Sequence, residues 1–260
     1  MAKAWADKPF QLLAIPGTPG AATSKDSRIV AVAADMANAH NLLIRGLNSI
    51  YLQGPHVTKP ADVADFAFYV TSWVDSVHHH HHGEETILFP AFEAIAKSAG
   101  DTAGVMNENV EQHKLFENGL NALKEYASKF VDLTASGDKQ FDAAEMKRII
   151  DSFGDALATH LHDEIKTLLA LEKFDSKVVK KEYDDMVQKT IKGANVHVVV
   201  PLALGCADRT AVGSEGFPPI PFFLPFLCAY VFSRKHKGAW RFSPCDAWGK
   251  PQPLQFVGEN

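Results

Sequence analysis

The chain has 260 residues, a formal net charge of −5 and 22 % charged residues. That length suits one good core with an extension, or two small domains, and the charge lacks the basic excess of a nucleic-acid-binding surface. Three cysteines, Cys206, Cys228 and Cys245, are odd in number, widely spaced and form no CxxC pair. This disfavours a disulfide framework or a thiolate zinc site and makes a reducing, cytoplasmic setting the expectation.

Residues 1–26 hold Pro9, Pro16, Gly17, Pro19 and Gly20 and read as an extended arm. Asp7, Lys8 and Pro9 interrupt the apolar run that a secretory signal would need. Four long helical patterns follow. The first runs from about Ser27 to Tyr51, with Ala33, Met36, His40, Ile44 and Leu47 on one stripe, and Gly54-Pro55 stops it. The second runs from Ala61 to Lys97, with Pro60 at its start and Gly100 beyond its end. Pro90 falls inside it and predicts a kink or break there. The third covers about Ala103 to Phe130, with Met106, Val110, His113, Glu117 and Leu120 aligned. The fourth opens on a capping-box pattern, Asp142-Ala-Ala-Glu145, and continues to about Phe174 along Met146, Ile149, Phe153, Leu157, His160 and Glu164. Four such helices with short polar connections predict an all-α fold, an antiparallel four-helix bundle over residues 27–175.

A fifth, Lys-rich segment from Ser176 to Lys192 keeps a weak stripe and predicts a short helix. Beyond it helical periodicity gives way to proline, glycine and aromatic residues, so residues 176–260 read as an irregular extension packed on the bundle. The apolar stretch from Phe217 to Phe232 carries four prolines and is shorter than the roughly 20 residues of a membrane-spanning helix. We read it as a lid packed on the core. Peripheral membrane contact through 217–237, aided by Arg234, Lys235 and Lys237, is the less favoured alternative.

The chemistry lies in the stripes. Each bundle helix places a histidine on its apolar face: His40, His80 (or His81), His113 and His160. Three are followed four residues later by a glutamate on the same face, in the pairs His80–Glu84, His113–Glu117 and His160–Glu164. The run His78–His82 leaves the register open, with His81 and Glu85 as the alternative pair. A single histidine on an apolar face reads as a satisfied core residue, a His–Glu pair as a solvated surface pair, and a poly-His tract as low complexity. All four helices carrying the same pattern reads differently. Burying that many acids and imidazoles at one depth makes sense if they meet around cations. The donor set exceeds the needs of one tetrahedral zinc and suits two six-coordinate ions bridged by carboxylates. Iron is the favoured pair, with zinc or manganese as alternatives.

These residues give the chain its resemblance to a known family. Ala39-His40-Asn41-Leu-Leu-Ile-Arg45, His80-His-His-Gly-Glu84-Glu85, Glu111-Gln-His113-Lys-Leu-Phe-Glu117 and His160-Leu-His-Asp-Glu164 resemble the hemerythrin-like, or HHE cation-binding, family, and in particular fungal members with a proline- and aromatic-rich tail. The resemblance covers roughly residues 28–175. It implies a non-haem di-iron site with His40, His80, Glu84, His113, His160 and Glu164 at the ligand positions. Two departures stand out. Glu117 occupies the place of a second third-helix histidine, and Glu164 follows His160 by four residues where the family has an aspartate after five. An added carboxylate favours the ferric state, which points away from reversible oxygen carriage and towards oxygen activation, peroxide chemistry or irreversible sensing. The expectation is therefore a protein that binds or activates dioxygen or peroxide, as an oxygen-dependent oxidoreductase on a small organic substrate. An iron or oxygen sensor, or a metal buffer without turnover, is the alternative.

Overall fold

The computed structural model describes residues 5–132 and 140–257. Residues 1–4, at the start of the expected arm, lie outside the described residues, as do 133–139, between the third and fourth bundle helices, and 258–260. Among the described residues the regular structure is helical, with a lone bridge between Cys245 and Pro251.

The first bundle helix is α1, Ser27–Gln53, capped by the Asp26 carboxylate, which accepts from the Arg28 amide at 2.8 Å. The second is α2, Pro60–Gly83, followed by a wide turn at Glu84–Leu88 and by α3, Phe89–Ser98. The third is α4, Asn107–Ser128, and the fourth comprises α5, Ala143–Asp151, and α6, Gly154–Ala170. Cross-helix pairs fix the directions. Gly46 lies by Trp73, Asp75 by Lys124, Gly119 by Phe153, and Tyr51 by Asp151. With Gly54 by Phe66, His81 by His113, His113 by His160 and His40 by the Leu161 carbonyl, one number rises as the other falls along each neighbouring pair, so the four run alternately up and down around a square. Gly46 permits a close approach, since a Cβ there would lie 2.5 Å from the Trp73 ring. Its absence lets Trp73 settle against α1 and donate to the Leu43 carbonyl at 2.9 Å.

Two helices depart from the unbroken patterns expected. The Pro90 disturbance takes the form of a π turn just before it, in which the Phe89 amide bonds to the Glu84 carbonyl five residues back. Proline has no amide hydrogen and its ring crowds the carbonyl four residues earlier; a wider turn relieves both. The fourth helix breaks at Ser152–Phe153 rather than running through. The break turns Phe153 into the core over Gly119, while Gly154 admits the ring of Phe10 from the N-terminal arm.

That arm is a packed element with turns. Asn48 accepts from the Phe10 amide at 2.9 Å and donates to the carbonyls of Phe10 at 2.8 Å and Ala6 at 3.0 Å. Asn41 makes the matching pair with Leu13, at 2.7 and 2.9 Å. Both asparagines are buried, so α1 carries polar residues facing the arm and apolar ones facing the bundle.

The C-terminal region adds α7, Ser176–Ile191, then α8, Val199–Cys206, and α9, Leu224–Tyr230. It is tied down at several points. Ser49 and Gln53 donate to the Phe242 carbonyl, the latter at 2.9 Å, and Arg241 pairs with Asp62 and Asp65 at 2.7 and 2.9 Å. Tyr69 sits 3.3 Å from Cys206, whose thiol burial pushes up to about 12. All three cysteines are buried and free. The expected lid is only half realised. Pro225 and Cys228 of α9 are buried, but Phe222 and Phe223 just before it and Phe226 and Tyr230 within it face outward. Among the described residues no helix is long and apolar enough to cross a membrane.

Candidate metal centre

Midway along the bundle, seven side chains converge. His40 comes from α1, His80 and His81 from the end of α2, Glu84 from the π turn, His113 from α4, and His160 and Glu164 from α6. They form two groups that share Glu84: His40, His80, Glu84 and Glu164 in one, and His81, Glu84, His113 and His160 in the other. Within each group the donor atoms lie within 4.8 Å of one another.

Neighbouring helix positions differ by about 100°, so two consecutive residues can straddle one inward direction. His80 leans towards α1, with its ring 5.2 Å from that of His40, while His81 leans towards α4, 4.4 Å from the ring of His113. The open choice between His80 and His81 is thus answered by both, one in each group. Glu84 reaches both sides, with Oε1 3.0 Å from His80 Nε2 and Oε2 3.6 Å from His113 Nε2. Glu164 Oε2 lies 3.3 Å from His40 Nε2 and 3.9 Å from His160 Nε2.

Glu85 and Glu117 have other places. Glu85 stands at the rim, where Oε1 lies 2.6 Å from His113 Nδ1. Glu117 is exposed and lines a polar groove with His78, His82 and Asn121, outside both groups. The position expected for a third-helix carboxylate is filled instead by an imidazole from the second helix. The inward set is five histidines and two glutamates, and the expectation built on an extra carboxylate loses its footing. Counting by four offers His81 only as the alternative to His80 and cannot assign both, because the neighbours of His81 in space come from α4 and α6.

The hydrogen bonds around this set select the tautomers. His40 Nδ1 faces the Leu161 carbonyl at 2.7 Å and His113 Nδ1 faces the Glu85 carboxylate, both acceptors only, so each Nδ1 carries the proton. His160 Nδ1 lies 3.2 Å from Gln112 Oε1 in the same sense. In the neutral rings every Nε2 then presents a bare lone pair inward. Those of His113 and His160 approach to 3.0 Å, two acceptors aimed at one another. Glu84 and Glu164 are fully buried, and none of their four carboxylate oxygens has a hydrogen-bond partner among the described residues. Burying a carboxylate without compensation costs on the order of several kcal/mol. A cation between these atoms resolves both conflicts, so the residues fit a metal.

The protonation tendencies agree. Burial lowers His80 and His113, drives His81 well below its ordinary value with help from the surrounding imidazoles, and brings His160 to about 3. Neutral imidazole is the form that ligates metal. Burial pushes Glu84 well above the usual carboxylate range, and the charge on Glu164 adds to it. Burial acts on Glu164 in the same sense, but its contact with His40 and the charges of His40, His160 and His80 outweigh that and hold it low.

The description "Hemerythrin HHE cation binding domain" matches residues 31–171, more than half of the chain and all seven converging side chains. The chain belongs to this family. It binds a metal cation through its bundle core, as the family description and the two donor groups both indicate. The chain is also 38 % identical over 257 residues to the "Dimeric xanthone biosynthesis cluster protein R11" of Cryptosporiopsis sp. (strain 8999), covering 98 % of this chain and 94 % of that one. The match therefore includes the arm and the extension. No solved structure matches the chain. Gln112 and the Leu161 carbonyl escape sequence reasoning, whereas Glu85, expected as an alternative ligand, stands as an outer partner of His113. Only the adjacency of Gln112 to His113 could have hinted at one of them.

Proposed function

We propose that the chain is a non-haem di-iron protein that binds or activates dioxygen or peroxide and acts as an oxygen-dependent oxidoreductase on a small organic substrate. The observation that carries this reading is the shared Glu84, fully buried between two donor groups with both oxygens unpartnered. A carboxylate so placed suits a bridge between two ions. Imidazole with carboxylate suits iron better than the thiolate-rich or purely oxygen sets that other metals favour. Bound iron would supply Lewis acidity and electrons for reaction with oxygen. The protein's own part is to hold the donors. His40, His113 and His160 are oriented by the Leu161 carbonyl, Glu85 and Gln112, which fix the ring planes and keep Nε2 free. Phe89 and Phe116 pack beside His113 and His81.

The similarity to a protein named for dimeric xanthone biosynthesis favours an enzyme over a buffer or sensor, since it extends beyond the metal-binding core. With three free, buried cysteines, a reducing intracellular compartment completes the reading. Metal analysis of protein made without an affinity tag, together with Mössbauer spectroscopy, tests it. Two irons per chain in one magnetically coupled pair is the expected result. One zinc per chain, or two uncoupled irons, would overturn it.

A further inference from the structure

Two grooves reach the buried donors. One, of about 470 Å3, is the polar groove between α2 and α4, with His81 and His113 at its inner end. The other, of about 500 Å3, lies between α1, α2, the end of α7 and α8. Its walls are Leu42, Ala194, Val198, Val199, Leu202 and Ala203, and His80 faces it from α2. The extension creates this cleft: without residues 193–206 the outer face of His80 would lie open to solvent.

Four polar side chains of the cleft are engaged, which leaves Ser76, the exposed Lys192 and His80. Ser72 donates to the Phe68 carbonyl at 2.7 Å, Thr190 to that of Met186 at 2.9 Å, and His79 Nε2 lies 3.0 Å from the Thr190 carbonyl. Asp75 pairs with Lys124 at 2.5 Å. His80 points Nε2 at Glu84, while its Nδ1 has no acceptor among the described residues. In that it differs from His40, His113 and His160, whose Nδ1 atoms the protein holds. It is also the member of its group that is not closed off, with 17 % of its side chain exposed against none for Glu84, Glu164 or His40.

We infer that this cleft is the binding site for a flat aromatic molecule carrying a hydroxyl or carbonyl oxygen, which lies against α8 and accepts a hydrogen bond from His80 Nδ1–H. Its volume falls among those of pockets that enclose drug-sized ligands, and its walls are mostly apolar, with His80 Nδ1 the free donor that adjoins the buried donor groups. A rigid ring system fills such a slot between helices while losing little conformational freedom. The assignment rests on the metal-centre reading above, in which His80 presents Nε2 to an ion and Nδ1 to the ligand.

The test is a fluorescence titration of 7-hydroxyflavone into the full-length protein, metal-free and metal-loaded, with metal content measured in parallel. Saturable one-to-one binding is expected in both forms. Ala203→Phe, which fills the cleft, and Val199→Asp, which puts a charge on its half-exposed wall, should each weaken binding by about tenfold or more, equivalent to about 1.4 kcal/mol. Glu117→Gln, in the other groove, should leave binding unchanged. Metal content and helicity should be the same in all three variants. Unaltered binding in both cleft variants, or no saturable binding to protein that takes up metal normally, overturns the cleft assignment. Cleft-dependent binding by a protein that takes up no metal supports the cleft and overturns the metal reading instead, so the two failures are distinguishable.

Discussion

Of the two donor groups that meet at Glu84, the one with His40, His80 and Glu164 holds two carboxylates and is sealed except where His80 meets the apolar cleft. The one with His81, His113 and His160 holds three imidazoles and a single carboxylate, and borders a polar groove through His81 and His113. The carboxylate-rich side favours the harder, more highly charged cation, and the imidazole-rich side tolerates a softer one. One bundle therefore offers two unequal positions, each with its own approach, joined by one shared side chain.

Glu84→Ala gives the largest expected effect, because it removes the shared ligand and should empty both positions. Metal content per chain, measured by mass spectrometry, should fall to near zero, and retention of one tightly held ion would break the comparison. His40→Ala and His113→Ala sharpen it further. Each should empty its own group and leave about one ion per chain, since four-ligand sites lose much of their affinity with one donor. If both variants lost the same ion, the division into two groups would be incorrect.

A smaller effect concerns pH in the metal-free protein. Burial depresses His80, His81, His113 and His160 below the ordinary value of 6.5, with His160 at about 3. The unfolded chain takes up protons that the folded chain refuses, so stability is fullest above the unfolded value and falls as pH drops through 6.5 towards 3. Glu84, raised by burial, acts in the opposite sense, being neutral and favourable at low pH. Four imidazoles against one carboxylate set the net direction. The urea midpoint should decline between about pH 7 and about pH 5; a flat profile would contradict the depressed imidazoles. Smallest of all at the metal is Asn48→Ala, outside both groups. It strands the Phe10 amide and two arm carbonyls, and should lower stability by about 2 kcal/mol in chemical denaturation while leaving metal content unchanged.

The helical stripes made the bundle legible, because a face that repeats every three to four residues must be buried against another such face. Six of the seven inward donors were legible for the same reason: His40, His113, His160 and Glu164 each sit on one regular stripe, and His80 and Glu84 are one turn apart. His81 was legible only as the alternative to His80, because five consecutive histidines carry no phase information and the π turn after them changes which residues face inward. Glu117 was misplaced by the opposite error, a sound four-residue spacing on a helix whose next turn faces a surface groove. The break at Ser152–Phe153 depends on Gly119 and on Phe10, both remote in sequence. The cleft beside His80 depends on where α8 docks, which no local pattern encodes.

Crystals of the iron-loaded protein, measured on both sides of the iron absorption edge, test the shared-carboxylate claim most directly. Two anomalous peaks flanking Glu84 are expected, one among His40, His80 and Glu164 and the other among His81, His113 and His160. A single peak, or one beside Glu117, His78 and His82 in the polar groove, would contradict it.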